Sequence, residues 1–475
     1  MSFDTMCPEC NQINTFIWNK RGLPKHFQND FDKWTSGKNA IDKLIQGTQI
    51  NTPFWNTRCI PKHFQNDFNK WTSRNNVIDK FIQVTQLNAS NYLEITEWIP
   101  YNRFKDIRVI ANGGFGTTYV AKWIDGPISG WDAKNQRWLR HSQRRYVALK
   151  KFDNNFTNLN EDFLNEMAIH LKTTKSGSLQ FYGFTQNPRT LEYIMVLEYV
   201  FGGNLRDYLR NHFDDINWEK KLEYLSQLIS NFERIHKFDI IHHNFHPGNI
   251  LSNDFRTSLF LHISDFGLSK IIELNAKTGK RQIFGVLPYI APEVLNGEEY
   301  TKAADVYSFG IVAYEMVTGF APYHDIPHNI DLAKGICNGL RPKVPFHIPK
   351  LITRIIMRCW DARATHRPTF NELSKVFWKY YVDYKINQSK NKNEITIQIE
   401  NSEKLYKNLK LTNPTPMNYK IHPKAIYTSR LLYYSGLPKP KNDKNFEKEL
   451  EELTKSASAL SIVAYKLSKL HGHGT

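Results

Sequence analysis

The 475 residues predict an α+β fold, strand-rich first and helical afterwards. From about residue 104, short apolar runs are broken by turn signals: FKDIRVIANGGFGTTYVAKW, then YVALKKF, then YIMVLEYV, each with the composition of a strand. From about residue 205 onward, longer helical patterns with helix-forming residues take over. That order places strands and helices in separate layers rather than in alternating βαβ units. A hydrophobic fraction of 41% and an aromatic fraction of 13% supply enough apolar surface for a sizeable core, which excludes a wholly disordered chain.

Taken in order, residues 1–103 form an N-terminal region with an internal duplication. Residues 18–50 (WNKRGLPKHFQNDFDKWTSGKNAIDKLIQGTQI) and 55–87 (WNTRCIPKHFQNDFNKWTSRNNVIDKFIQVTQL) repeat with a period of 37, and 23 of the 33 aligned positions are identical. Phe27, Phe31 and Trp34, and again Phe64, Phe68 and Trp71, fall at i, i+4 and i+7, one helical face. Each unit therefore reads as two short helices joined at Thr-Ser. Two copies are fewer than a solenoid needs. Residues 104–383 form the main domain, in which the polar stretch Ile124 to Tyr146 reads as an extended surface connection. Residues 384–475 turn Asn- and Lys-rich with scattered prolines and read as a basic, largely disordered tail. Its stretch FEKELEELTKSASALSIVAYKLSKL has the pattern of a terminal amphipathic helix.

The net charge of +17 is spread as +3, +6 and +8 over these three regions, with no block of five consecutive basic residues. A nucleic-acid binder concentrates its charge on one element or face, so composition argues against that partner and leaves a basic nucleic-acid or acidic-lipid module as a rival of another class. No run of 18 apolar residues exists, and the polar start lacks the apolar core of a signal peptide, so no membrane role is expected. Five cysteines, an odd and small number, argue against a disulfide scaffold and for a reducing compartment, cytoplasmic or nucleocytoplasmic.

One ordered constellation carries chemistry. It runs Gly113-Gly114-Phe115-Gly116; Val147-Ala148-Leu149-Lys150; Glu166; His242-His243-Asn244-Phe245-His246-Pro247-Gly248-Asn249; Asp265-Phe266-Gly267; Ala291-Pro292-Glu293; Asp305; Arg367. Glycines let backbone N–H groups approach phosphates with no Cβ in the way. A lysine neutralises phosphate charge and needs a carboxylate to hold it, and two oxygen ligands hold magnesium.

In this order the segments resemble the eukaryotic protein kinase family over about residues 104–383. HPGNIL, GVLPYIAPEVL and CWDARATHRPTF resemble its tyrosine-kinase-like group, and the whole layout is similar to lineage-expanded fungal kinase-like proteins. The resemblance implies a two-lobed kinase fold that binds ATP and Mg2+. It places Lys150 with Glu166 at the phosphates and Asn249 with Asp265 on the metal. Gly113, Gly114, Gly116, Thr118, Ala148, Leu197 (the gatekeeper position), Glu198, Val200 and Leu251 fall around the nucleotide. His242, Phe266, Gly267, Glu293, Asp305 and Arg367 match structural anchors. Substrate and protein partners are left unnamed.

The sequence departs from the family at the catalytic loop, where Asn244 replaces the aspartate that orients the substrate hydroxyl and accepts its proton. An amide keeps an acceptor oxygen but is no base at pH 7. Losing a general base costs about 10²–10⁴-fold, which implies a pseudokinase or a weakly active kinase acting as scaffold or switch, with an active serine/threonine-type kinase as the alternative. Ala111 for the first loop glycine, Thr118 for valine and Val286 for threonine point the same way. His243 replaces an arginine that would grip a phosphorylated loop, so control through Ser269 or Thr278 is not implied. Cys7-Pro-Glu-Cys10 has the spacing of half a zinc knuckle, but with Cys59 only three cysteines are present in the region. A Zn2+ site would need His26 or His63 as its fourth ligand and is not expected.

Overall fold

The computed structural model describes residues 59–89, 91–113, 116–132, 134–141, 145–152, 161–173, 177–257, 260–267, 269–271, 283–386, 393–409 and 419–455. The first repeat unit, Cys7, Cys10, Gly114, Thr278 and residues 456–475, with most of the terminal helical pattern, lie outside them. The chain divides into two compact units, Met1–Thr174 with Leu179–Tyr199, and Lys175–Ser178 with Val200–Thr475.

The first unit contains α1 (Cys59–Asp67), α2 (Asn76–Asn88), β1 (Glu97–Trp98), β2 (Phe104–Gly113), β3 (Gly116–Trp123), β4 (Ile128–Asp132), β5 (Arg137–Arg140), β6 (Arg145–Phe152), α3 (Glu161–Thr173), β7 (Phe181–Gln186) and β8 (Tyr193–Glu198). Six of the strands make one sheet in the order β1-β7-β8-β6-β3-β2, antiparallel except for β1 on β7. Alternation along β3 and β6 turns Ala121, Trp123, Val147 and Leu149 into a core shared with Ile99, Phe104, Tyr182, Ile194 and Val196. The parallel edge depends on Gly183: at φ +141° its missing Cβ would stand 1.9 Å from the Glu97 carbonyl oxygen, so β1 can approach only a glycine.

The second repeat copy is part of this unit. Asn75 caps α2, its Oδ1 accepting from the N–H groups of Val77 (2.9 Å) and Ile78 (3.3 Å). On the buried face of α2, Phe81 meets Phe184 of β7 edge-on at 5.9 Å. Residues 128–132 and 137–140, inside the stretch read from composition as a surface connection, instead pair as the antiparallel strands β4 and β5. Polarity counts hide their anchors: His63 stacks on Trp131 (4.0 Å), Phe64 stacks on Trp138 (4.2 Å), and Trp138 Nε1 donates to Asp67 (2.9 Å).

The second unit contains α4 (Leu205–His212), α5 (Trp218–Lys237), β9 (Ile240–Ile241), β10 (Ile250–Leu251), β11 (His262–Ile263), β12 (Lys270–Ile271), β13 (Ile283–Gly285), α6 (Pro292–Leu295), α7 (Lys302–Thr318), α8 (Ile330–Cys337), α9 (Lys350–Cys359), α10 (Phe370–Ile386), α11 (Glu394–Leu409) and β14 (Arg430–Leu432). α7 is buried all round from Ala304 to Thr318, as befits the central helix of a helical layer. Phe370 of α10 stacks on Phe232 of α5 and meets Phe309 of α7 edge-on, so the three rings form one aromatic cluster.

Composition failed over the tail. Residues 393–409 and 419–455, inside the region read as largely disordered, are ordered on this unit. Isolated apolar side chains suffice as anchors: Ile395 and Ile399 of α11, then Leu432, Leu437 and Phe446, are all buried. Main-chain and amide hydrogen bonds hold the rest, including Lys441 N–H to Cys337 O (2.9 Å) and Ala362 N–H to Asn442 Oδ1 (2.7 Å). Among the described residues no helix is long and apolar enough to cross a membrane.

Candidate active site

In the first unit, β2 and β3 form a glycine hairpin whose register pairs Ala111 with Thr118 and Gly113 with Gly116. Gly116 sits at φ +146°, a backbone state closed to most side chains. Thr118 in turn faces Lys150 across β3 and β6. Lys150 Nζ lies 2.7 Å from Glu166 Oε1 of α3, with Glu166 almost wholly buried and Lys150 nearly so. His170, one turn on, places Nε2 3.6 Å from the same oxygen. Ala148 and Leu197 are paired across β6 and β8 and both are buried. The Glu198 N–H is spent on Gln180 O (2.8 Å), so a hydrogen bond to a ligand from Glu198 falls to its carbonyl.

In the second unit, the loop after β9 is fixed from below by Asp305 of α7. Its carboxylate accepts from the N–H groups of His242 (2.9 Å) and His243 (3.2 Å) and from His236 Nε2 (2.9 Å). Burial raises the Asp305 carboxyl, but the hydrogen bond with His236 and the neighbouring histidines outweigh it and hold the group below the usual range. His242 Nδ1 accepts from Asn244 N–H (3.3 Å) while Nε2 faces Ser264 O (3.1 Å), which fixes the Nε2–H tautomer. Burial pushes its pKa down, so the ring is neutral and acts as a rigid post.

On this post sits Asn244, buried, with Nδ2 donating to Asp265 Oδ2 (3.3 Å). Asn249 Nδ2 donates to Asn244 O (2.9 Å), which leaves Asn249 Oδ1 as the atom able to meet a cation. His243 and Asp265 both hold positive φ, 66° and 64°, a strained state that recurs where side chains must be aimed. The donor set, one carboxylate and one amide oxygen, suits a hard cation that completes its shell with water and phosphate, as Mg2+ does. Among the described residues no cluster of three or more His, Cys, Asp or Glu could hold a metal ion alone.

A family model for protein tyrosine and serine/threonine kinases matches residues 104–377. The chain belongs to that kinase family. The chain is 27% identical over 291 residues to a protein of Acanthamoeba polyphaga mimivirus named as serine/threonine-protein kinase/receptor R826, covering 61% of this chain and 16% of the relative. It is 29% identical over 285 residues to the Dictyostelium discoideum protein named as serine/threonine-protein kinase roco5, covering 57% and 10%. It is 28% identical over 225 residues to stress-activated protein kinase alpha of the same organism, covering 45% and 34%. The chain therefore spans about a third or less of each of these relatives.

The kinase motifs thus separate by unit. Gly113, Gly116, Thr118, Ala148, Lys150, Glu166, Leu197 and Glu198 stand on the β-rich unit; Val200, His242, Asn244, Asn249, Leu251, Asp265, Phe266, Gly267, Glu293, Asp305 and Arg367 stand on the helical one. Phe266 is fully buried with its ring 5.1 Å from His242. Arg367 makes a bidentate pair with Glu293 (2.6 and 2.7 Å) and also donates to the carbonyls of Asp361 and Ala303. His243, half-buried, stacks on Tyr300 (4.2 Å), and the Ser269 hydroxyl is buried and donates to His242 O (2.9 Å). Val286 is buried and brings no hydroxyl. Sequence reasoning missed the part played by Arg206, His246 and Ser429, which surround Asn244 or its neighbours. Arg206 and Ser429 carry no motif signal, and Ser429 lies far outside the matched domain.

Proposed function

We propose that this protein binds ATP and Mg2+ and works mainly as a pseudokinase, a nucleotide-dependent scaffold or switch, with weak phosphotransfer at most. Lys150 paired with Glu166 takes the phosphates, Asn249 and Asp265 take the metal, and Ala148, Leu197, Glu198, Val200 and Leu251 take the adenine. The observation that carries the reading is Asn244. It keeps an oxygen for a substrate hydroxyl, while its nitrogen is committed to Asp265, and no atom of the amide accepts a proton at neutral pH. The second reading, an active kinase transferring the ATP γ-phosphate to serine or threonine, draws support from the names of the relatives. A largely dissociative transition state also makes a base less important than alignment.

Thermal unfolding with millimolar ATP, with and without Mg2+, tests binding: a Mg2+-dependent upward shift is expected, and its absence refutes nucleotide binding. Radiolabel transfer by pure protein, with Lys150→Met as blank and Asn244→Asp as rescue, separates the two readings. Robust wild-type transfer, lost in the Lys150 variant and unchanged by Asn244→Asp, would overturn the pseudokinase reading.

A further inference from the structure

The ordered tail crosses the catalytic loop. β14 pairs antiparallel with β13 in the register Ile283 to Leu432, Phe284 to Leu431 and Gly285 to Arg430. The next residue from this register toward the loop is Ser429. Its hydroxyl donates to Asn244 Oδ1 at 3.0 Å and lies 3.2 Å from His246 Nε2. The proton assignment is consistent throughout. His246 Nδ1 accepts from Gly248 N–H (3.1 Å), so Nε2 carries the proton and donates to Ser429, whose own proton goes to Asn244. Gly285 is part of the fit: at φ +147° its absent Cβ would point at Ile290 and at Asn244 Oδ1, 3.6 Å away.

Flanking residues are read as well. Two positions before Ser429, Tyr427 gives its carbonyl to Arg206 (2.7 Å), sets its ring 5.5 Å from the same guanidinium and donates its hydroxyl to Pro322 O (2.9 Å). One position after, Arg430 donates to His328 O (2.5 Å), and Leu432 is buried. Further back, His328 N–H donates to Lys424 O (2.9 Å). Main-chain pairing plus pockets for alternate side chains is the way folded domains hold extended peptides.

We infer that residues 423–432 are a resident peptide in the phosphoacceptor groove, with Ser429 in the acceptor position, and that the groove selects an extended segment carrying an aromatic residue two before a serine and an arginine one after. This rests on the kinase-fold reading of the Asn244 loop. A tethered segment faces its groove at about millimolar effective concentration, so a free peptide of intrinsic Kd ~100 µM is weakened about tenfold by competition.

The test is binding of a fluorescein-labelled peptide of residues 423–434 to the full chain, measured by anisotropy. Wild type is compared with Tyr427→Ala/Arg430→Ala, which loosens the resident segment, and with Leu431→Pro, which breaks the strand pairing should the first variant fold poorly. About tenfold tighter binding to a loosened chain, and its loss when Arg206→Ala is added, is the expected result. Equal affinity for wild type and both loosened chains, or binding to none, overturns the inference. So does a scrambled peptide that binds as well. An ATP–Mg2+ thermal shift on the same samples keeps the readings apart: a retained shift without peptide gain sinks only the resident-peptide inference, while peptide gain without any shift sinks only nucleotide binding.

Discussion

Asn244→Asp replaces one atom type and turns a dipole into a charge, and the surrounding distances set its effect. The new carboxylate oxygen would stand where Asn244 Nδ2 now lies 3.3 Å from Asp265 Oδ2, exchanging a hydrogen bond for two like charges. At that distance and an effective dielectric constant of about 20, the repulsion is about 5 kcal/mol; partial solvent screening around Asp265 reduces it to ~2–3 kcal/mol. The folded pair escapes by holding a proton, so one of the two carboxyls titrates above its unfolded value. A folded state that binds more protons than the unfolded one loses stability as pH rises. The variant should therefore match wild type only at or below the unfolded carboxyl value of about pH 4 and fall ~2–3 kcal/mol below it by pH ~8, with ATP and Mg2+ restoring most of the deficit. Urea unfolding of both proteins at four pH values, with and without Mg2+ and ATP, measures this. A difference that is flat with pH, or indifferent to Mg2+ and nucleotide, refutes the placement of Asn244 beside Asp265 and a metal. Phosphotransfer should rise in the same variant, up to the ~10²–10⁴-fold that a general base supplies.

Three further outcomes are expected. Arg367→Met strands the buried Glu293 carboxylate and should cost ~3–5 kcal/mol in urea unfolding, while Arg367→Met/Glu293→Leu should recover much of it; a single variant within ~1 kcal/mol of wild type would contradict the buried pair. Lys150→Met does the same to Glu166 at ~3 kcal/mol and should also abolish the nucleotide shift, whereas Lys150→Met/Glu166→Leu should regain stability and not the shift. Burial pushes the Lys221 ammonium, held at Val317 O and over the Phe213 ring, down to about 7. Between there and the unfolded value of about 10.4 the unfolded state binds the extra proton, so stability rises with pH by up to ~1.4 kcal/mol per pH unit. Lys221→Met should flatten that rise, and an unaltered pH profile would show that Lys221 does not titrate in this window.

Legibility in the sequence depended on how each feature is encoded. Lys150, Glu166, Asn249 and Asp265 were legible because the phosphotransfer chemistry proposed for them calls for particular side chains in a fixed order along the chain. The β4–β5 pair and the tail were not. Their anchors are single residues, Trp131, Trp138, Ile399, Leu432 and Phe446, set in polar surroundings, and a window average dilutes a lone aromatic that packs against a partner distant in sequence. β14 has three residues, too short for any periodicity, and its partner β13 begins 147 positions earlier, from Ile283 to Arg430. No local pattern encodes such a pairing, which depends on tertiary context.

The loss of the aspartate and the presence of the tail explain one another. Transfer of a phosphoryl group to the Ser429 hydroxyl requires that its proton leave. Neither neighbour can take it: Asn244 is an amide, and His246 already carries its proton on Nε2, with Nδ1 held by Gly248 N–H and its pKa lowered well below the ordinary value by burial. A serine can therefore rest at the acceptor position without being consumed. Restoring the carboxylate would strengthen the hydrogen bond from Ser429, since charged acceptors bind hydroxyls more tightly, and would at the same time supply the missing base. Asn244→Asp should then label Ser429 itself before any added substrate, and Asn244→Asp/Ser429→Ala should not carry that label. Mass spectrometry of the two variants after incubation with ATP and Mg2+ decides it, and a label that lies elsewhere in both would separate the amide from the tail.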